Sequence, residues 1–374
     1  MSLITEHSTT IHAELPQGDV NSKMEVFYNP VMVSNRNISI LLLNSLPNKD
    51  MKIADPLAGS GIRSLRFLKE LKKGKIKQLV VNDFKENFKA AFQQNLKLNK
   101  IKKSDQAKLY IHSEEASLFL LNQTGFDYID IDPFGSPNPF LAAAVARISR
   151  GGILAITATD TAALTGTYPK VTQRKYWAIP LRNYLMHEIG LRILIRKIQL
   201  QGVQFDKALI PVLAYHKDHY FRVYLTSEKG TVRGDALLKQ HQYFLFCNEC
   251  LSFKTSLFNA ETCQCGTKFQ FAGPLWTGEL FDTTLITTMA KNNPFPEERK
   301  FLELLNQESK KDIVGFYDLH ALARRYKKEP PRMEPFLQQL GAVRTHFSPT
   351  GIKTEKDIKE VLRLFTRKKE SLGF

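Results

Sequence analysis

The sequence predicts an α/β fold: a seven-stranded, mainly parallel sheet, followed by a cysteine-bearing insert and a small C-terminal α/β domain. Three features of the chain point there. From residue 50 to residue 226, short apolar runs of strand length alternate with amphipathic runs of helix length, the pattern of βαβ crossovers on a parallel sheet. The spacer 214–219 is too short for a helical crossover, so the last two strands must pair antiparallel. After residue 227 the pattern stops and all four cysteines follow together.

The strands are expected at 51–54, 78–82, 108–112, 128–131, 153–157, 208–213 and 220–225, with helices at 62–72, 85–98, 137–149 and 181–200. A polar, glycine-containing stretch at 227–242 leads to the cysteines, and a Pro/Gly/Trp cluster at 273–278 closes that insert. Beyond Glu279 a new helical pattern begins. Two short helices, 317–326 and 332–340, are split by Pro330-Pro331 and followed by an extended segment around 343–347. A helix-turn-helix with a wing has this pattern, as do other small α/β modules. The expected domains are 1–235, 236–278 and 279–374.

The chain has 374 residues, and 53 Lys plus Arg against 37 Asp plus Glu leave a net charge of +16. Such an excess suits a polyanionic partner. With 43% hydrophobic residues the chain can bury a core, which excludes wholesale disorder. The longest apolar stretches, such as 38–43, are too short to cross a bilayer. Residues 1–19 have no apolar run behind a basic flank and do not read as a secretory signal. A cytoplasmic protein is expected.

Cys247, Cys250, Cys263 and Cys265 form the pattern C-x2-C-x12-C-x-C. A zinc ribbon, a pair of disulfides and coincidence compete for it. Without a secretory signal disulfides are disfavoured, and two thiolate pairs would complete a tetrahedral shell. The second pair is one residue tighter than the usual C-x-x-C.

Two constellations carry chemistry. Asp55-Pro56-Leu57-Ala58-Gly59-Ser60-Gly61 joins the first predicted strand to a helix. Its glycines allow a tight turn whose backbone can approach a ligand. Ser64 stands where a dinucleotide fingerprint wants its third glycine, which weakens a nicotinamide reading. Asp83 ends the second strand, where open α/β sheets place a carboxylate for ribose hydroxyls. Asp130-Ile131-Asp132-Pro133-Phe134-Gly135 follows the fourth strand. D-P-F-G is close to the D-P-P-Y or N-P-P-Y box of enzymes that methylate exocyclic amines. An aryl amine is a poor nucleophile because its lone pair is delocalised. A carboxylate and a backbone carbonyl, each accepting one N–H, would aim that lone pair at a methyl donor. Proline fixes the turn and has no competing N–H, and the aromatic residue can stack on an extruded base. Asp130 or Asp132 could instead cap the following helix.

The sequence then resembles the archaeal-type tRNA (guanine-26, N2)-dimethyltransferase family, a class I methyltransferase (Rossmann-like) group. The resemblance rests on Val26-Phe27-Tyr28-Asn29-Pro30 with Asn35-Arg36, Gly61-Ile62-Arg63, Asp132-Pro133-Phe134-Gly135-Ser136-Pro137 and Thr157-Ala158-Thr159-Asp160-Thr161. It continues through His187-Glu188-Ile189-Gly190-Leu191-Arg192, Asp218-His219-Tyr220-Phe221-Arg222, Gly273-Pro274-Leu275-Trp276 and Gly351-Ile352-Lys353-Thr354. It implies an S-adenosylmethionine site built from Asp55, Gly59, Gly61 and Asp83, with Arg36 and Arg63 on the methionine carboxylate. Glu115 and Ala116 would lie beside the adenine, Glu115 replacing the family's Asp. Asp132 and Pro133 would orient the guanine amine, with Phe27 and Phe134 stacking. Zinc on the four cysteines would be structural. tRNA is the implied partner, with a monomer and no membrane association expected. The basic runs 69–77, 97–103 and 324–332 would form the tRNA footprint. His187 and His219 read as structural. Other readings are methylation of another RNA or of DNA, and a non-catalytic tRNA-binding protein.

Overall fold

The computed structural model describes residues 2–14 and 28–365. The chain divides into two compact units, each assembled from separated segments. Unit 1 comprises Met1–Asp160, Ile198–Asp235 and Thr287–Arg299; unit 2 comprises Thr161–Lys197, Ala236–Ile286 and Lys300–Phe374.

Unit 1 opens with an antiparallel hairpin, β1 (Ser2–Glu6) and β2 (Thr9–Ala13). Seven strands then make one sheet: β3 (Met51–Asp55), β4 (Ile76–Asn82), β5 (Leu109–His112), β6 (Phe126–Ile131), β7 (Ile148–Ala158), β8 (Lys207–Lys217) and β9 (Tyr220–Lys229). Their order is β5-β4-β3-β6-β7-β9-β8, parallel as far as β7 and antiparallel for the last two pairings. This is the sheet the sequence predicts. Ile53, Val80, Ile129, Ala155 and Val223 are fully buried, as strands covered on both faces require. The β8–β9 turn shrinks to Asp218-His219, with Asp218 in the left-handed region at φ 51°. His219 is exposed there.

Two differences from the sequence expectation have local causes. The helix expected at 181–200 runs over Met186–Val203, because the Asn183 side chain accepts the Leu185 N–H and holds a turn before it. The β1–β2 hairpin goes unpredicted because it is fastened by the side chains of a distant helix. The Thr10 and His12 amides donate to Asn99 and Asn95 at 2.9 and 2.8 Å.

Unit 2 holds two small sheets. One has the order β11 (Phe253–Ser256), β10 (His241–Phe246), β12 (Gln270–Trp276) and carries the cysteines. The other joins β13 (Tyr317–Asp318), β15 (Ser348–Lys353) and β14 (Val343–Thr345) in that order. Helices Leu319–Tyr326 and Met333–Leu340 precede the β14–β15 hairpin, so the extended segment expected near residue 343 becomes a two-stranded wing.

A buried polar network supports unit 2. Glu188 accepts from Arg192 Nε at 2.9 Å, from the Gly315 amide at 2.9 Å and from Lys353 Nζ at 3.1 Å. Lys353 also lies 3.6 Å from Glu308, whose other oxygen contacts His346 Nδ1 at 2.6 Å. The His187–Arg192 and Gly351–Thr354 motifs thus supply buried structural ions.

Burial pushes the Glu308 carboxyl up, but His346 and Lys353 outweigh it and hold the group down at about 2, against 4.5 when unfolded. A folded pKa below the unfolded one stabilises fully above about pH 4.5 and is lost as pH falls through about 2. The contribution is about 3 kcal/mol at neutral pH. Urea midpoints measured from pH 6 to pH 2.5 should therefore fall steeply below pH 4.5, and Glu308→Gln should start lower and flatten that slope. A variant with the wild-type acid profile would disprove the role.

Candidate active site

The site forms at the carboxyl ends of the parallel strands of unit 1. After β3 the chain turns through Gly59 and Gly61, both at positive φ (58° and 75°). A Cβ on Gly61 would meet the Phe92 ring at 2.1 Å, so this position excludes any side chain. The Gly59 amide donates to Asp83 Oδ2 at 2.7 Å, tying the glycine turn to the end of β4. Beneath it, buried Asn82 donates to the carbonyls of Pro56 and Glu114 and accepts the Glu114 amide at 2.9 Å. One amide side chain therefore fixes the loops after three neighbouring strands. Asp55, at the tip of β3, accepts from Ser64 at 2.7 Å. Burial pushes its carboxyl up to about 7; Arg63 lowers it, while Asp130 and Asp132 raise it further.

The Asp132-Pro133-Phe134-Gly135 turn follows β6. It is latched to the end of β7: the Gly135 amide donates to Thr159 Oγ1 at 2.7 Å, and the Thr159 amide to the Gly135 carbonyl at 3.0 Å. Behind the turn lies a buried relay of charge. Arg222 donates to both oxygens of Asp130 at 3.0 and 2.7 Å, and Tyr128 adds its hydroxyl at 2.6 Å. Arg63 lies 3.2 Å from Asp130 and is paired through Nη2 with Asp132. Burial pushes the Asp130 carboxyl up, but Arg222 and Arg63 more than offset this and leave it below the usual range. Asn35 and Ser39 accept from Arg63, both at 3.0 Å. Asp130 is thus a buried foundation and no helix cap, and the carboxylate presented to the cavity is Asp132.

A cavity of about 450 Å³ brings together Arg36, Asp55, Gly59, Arg63, Asp83, Asp132, Pro133 and Phe134. Gly61 stands in the turn that forms its wall. Glu115 is outside the lining: its side chain caps the helix Ala116–Leu121 by accepting the Leu118 amide at 2.8 Å. Ala116, also outside the lining, is buried. Phe27 lies outside the described residues. Arg36 directs Nε and Nη2 to Glu6, which Arg66 also contacts at 2.7 Å. A ligand carboxylate would share Arg36 with Glu6 and Arg63 with two aspartates.

Sequence reasoning missed Phe84, which follows Asp83 and stands 74% exposed on the cavity. It also missed Phe140, and it gave no role to Tyr28 and Thr159 on the lining, although both stand in motifs that carry the resemblance. Adjacency to the strand-end carboxylate could have flagged Phe84. Thr159 stands in the Thr157–Thr161 motif, but its role depends on a latch across two loops that the motif does not show.

In unit 2, the four cysteine Sγ atoms lie within 4.8 Å of one another. Cys247 is 3.5 Å from Cys265, and Cys250 is 3.4 Å from Cys263. The contacts cross between the two sequence pairs, so the tighter C-x-C pair still reaches the cluster. The Leu251 amide bonds to the Cys247 carbonyl and the Gly266 amide to the Cys263 carbonyl, each at 2.9 Å, making two tight knuckles.

The N2,N2-dimethylguanosine tRNA methyltransferase family matches residues 3–366. The tRNA (guanine(26)-N(2)/guanine(27)-N(2))-dimethyltransferase of Aquifex aeolicus is 40% identical, over 94% of this chain and 92% of its own. The tRNA (guanine(26)-N(2))-dimethyltransferase of Pyrococcus furiosus is 36% identical, over 95% of this chain and 96% of its own. Among solved structures, Trm1 from Pyrococcus horikoshii in complex with S-adenosyl-L-methionine superposes with a TM-score of 0.86 and 33% identity. It covers 98% of this chain and 100% of its own. On a match that runs almost from end to end, over a glycine turn and an Asp-Pro-Phe-Gly turn that share one cavity, this chain belongs to the N2,N2-dimethylguanosine tRNA methyltransferase family.

Proposed function

We propose that the protein transfers methyl groups from S-adenosylmethionine to the exocyclic N2 of guanosine 26 in tRNA, giving N2,N2-dimethylguanosine. One observation carries the reading: Asp132, in its latched Asp-Pro-Phe-Gly turn, opens into the same cavity as the glycine turn and Asp83. The cavity suits the donor. Its volume is in the range of small-molecule sites, and Asp55, Asp83 and Asp132 stand beside Arg36, Arg63 and Lys85 on its lining, which suits a ligand carrying both a sulfonium and a carboxylate.

When bound, S-adenosylmethionine supplies an electrophilic methyl group. The protein's own contribution is position. Asp83 would accept from the ribose hydroxyls, and Arg36 and Arg63 would reach the methionine carboxylate; Glu115 and Ala116, outside the lining, keep no assigned contact. Asp132 accepts one N–H of the guanine amine, and a backbone carbonyl at Pro133 takes the other. Phe134 stacks on the base. Arg63 orients Asp132 from behind. Holding nucleophile and methyl in line supplies most of the rate. One N–H survives the first transfer, so the same contact to Asp132 orients the second. Residues 279–374 and the exposed lysines of the basic runs bind the tRNA backbone. Lys75 is the exception in those runs: it is buried and donates to the carbonyl of Asn48 at 3.0 Å. The Aquifex relative's printed name includes guanine 27, which favours that nucleotide as a second target.

The test is to incubate unmodified tRNA transcripts with protein and donor, digest, and identify methylated nucleosides by mass; substituting position 26 or 27 separates the two targets. Wild type should yield N2,N2-dimethylguanosine. Asp132→Ala should lose a factor on the order of 10²–10³ in rate with donor affinity within a few-fold, whereas Asp83→Ala should weaken donor binding about tenfold or more by calorimetry. Near-wild-type turnover by a folded Asp132→Ala protein would remove Asp132 from the mechanism.

The four thiolates fit a structural zinc ion. A tetrahedral shell with Zn–S near 2.3 Å sets sulfurs about 3.8 Å apart, close to the separations of the crossed pairs. Cys247, Cys250, Cys263 and Cys265 would hold the ion and brace the knuckles, with no part in methyl transfer. Elemental analysis should find one zinc per chain, and chelation should speed hydrogen exchange in residues 243–272 before the seven-stranded sheet responds. Reduced, freshly purified protein with almost no metal would refute it.

A further inference from the structure

Helix Pro169–Tyr176 of unit 2 ends on Trp177, in the left-handed region at φ 55°. Glycine is the usual residue at such a helix end, since it carries no steric cost there. A bulky residue held in this conformation is an outlier of the kind that clusters at functional sites. The ring is not buried in compensation: Trp177 is 50% exposed.

Two cations from helix Met186–Val203 are arranged around it. Lys197 is 5% exposed and sets Nζ 3.0 Å from the Trp177 ring centroid. Among the described residues no carboxylate pairs with this ammonium. Burial first, and then Arg196, pull it down to about 8. Arg196 donates Nη1 to the Trp177 carbonyl at 3.2 Å, while its buried Nε has no hydrogen-bond partner. Lys197 is buried and Arg196 half-buried, and a buried cation beside a second one without an acid is costly unless an anion joins them. The surroundings favour one: no Asp or Glu occurs between Asp160 and Glu188, whereas Lys170, Arg174, Lys175 and Arg182 do. A second exposed aromatic residue, Tyr168, begins the same helix. These residues are not among those lining the cofactor cavity.

We propose that Trp177, Lys197 and Arg196 form an auxiliary nucleotide site, where an unpaired base of the RNA stacks on the indole and its phosphate meets the two cations. This rests on the RNA-methylating reading above and extends it to how the substrate is gripped. Aromatic stacking of one base is sequence-tolerant, so the site would add affinity without choosing the methylated nucleotide.

Trp177→Gly tests it, because glycine suits the left-handed backbone and the helix end should persist. Binding of an unmodified tRNA transcript should weaken about tenfold, donor affinity should stay unchanged, and Trp177→Tyr should recover most of the loss. Lys197→Gln should reduce the slope of log Kd against log salt by about one phosphate contact. Should Trp177→Gly misfold, Trp276→Phe leaves Trp177 as the sole indole, since the chain has 2 tryptophans; tRNA should then quench its fluorescence. A wild type that methylates tRNA while Trp177→Gly binds it equally well, or an indole unaffected by tRNA, would overturn this site alone. Trp177-dependent tRNA binding without methyl transfer would support the site and overturn the proposed activity.

Discussion

The pairing of Asp130 with two arginines is the constraint on which the rest of the catalytic unit depends. The carboxylate has no access to water, and its cost of burial is met by Arg222, Arg63 and Tyr128 together. Each partner belongs to a different element. Tyr128 lies on β6, Arg222 on β9 and Arg63 on the helix that leaves the glycine turn. Satisfying one buried charge therefore sets the spacing of β6, of β9 on the far side of β7, and of the turn that borders the cavity. Removing Arg222 or Arg63 would leave the buried charges unevenly matched, so these partners depend on one another.

Function is built outward from that foundation. Arg63 reaches past Asp130 to Asp132, linking a wholly buried carboxylate to the one that opens on the cavity. The turn holding Asp132 is latched to Thr159, and the loop opposite is held by Asn82 and Asp83. These are side-chain-to-backbone bonds that settle loops without adding regular structure. They leave a pocket whose acids face inward and whose exposed Phe84 and Phe134 supply flat apolar surface at the rim.

Unit 2 uses the same physics for another purpose. Glu188, Arg192, Lys353 and Glu308 lock its secondary elements by mutual neutralisation, with almost every charge matched. Lys197 and Arg196 are different, lying beside an exposed indole with no acid near them in the chain. The contrast is between charges matched inside the unit and cations left without an acid beside an exposed ring.

The parallel sheet, its antiparallel ending, the glycine turn and the Asp-Pro-Phe-Gly turn were all legible in the sequence. Each is a local matter of hydrophobic period, spacer length and backbone freedom, so each leaves its mark within a few residues. Strand ends in such a sheet converge on one edge, which is why eight of the residues singled out beforehand meet at one cavity. The resemblance singled out Asp132, but the residues alone could not show what its neighbour Asp130 does. Asp130 and Asp132 stand two apart on one strand end, and only the placement of Arg222 on a distant strand makes the first structural. Nor could the sequence show that Glu115 would serve as a helix cap, that Asn95 and Asn99 would fasten the first hairpin, or that Trp177 would sit over Lys197. Hydrogen bonds and ion pairs between residues far apart in the chain have no sequence period. Their partners are chosen by packing, and packing exists only once the tertiary structure has formed.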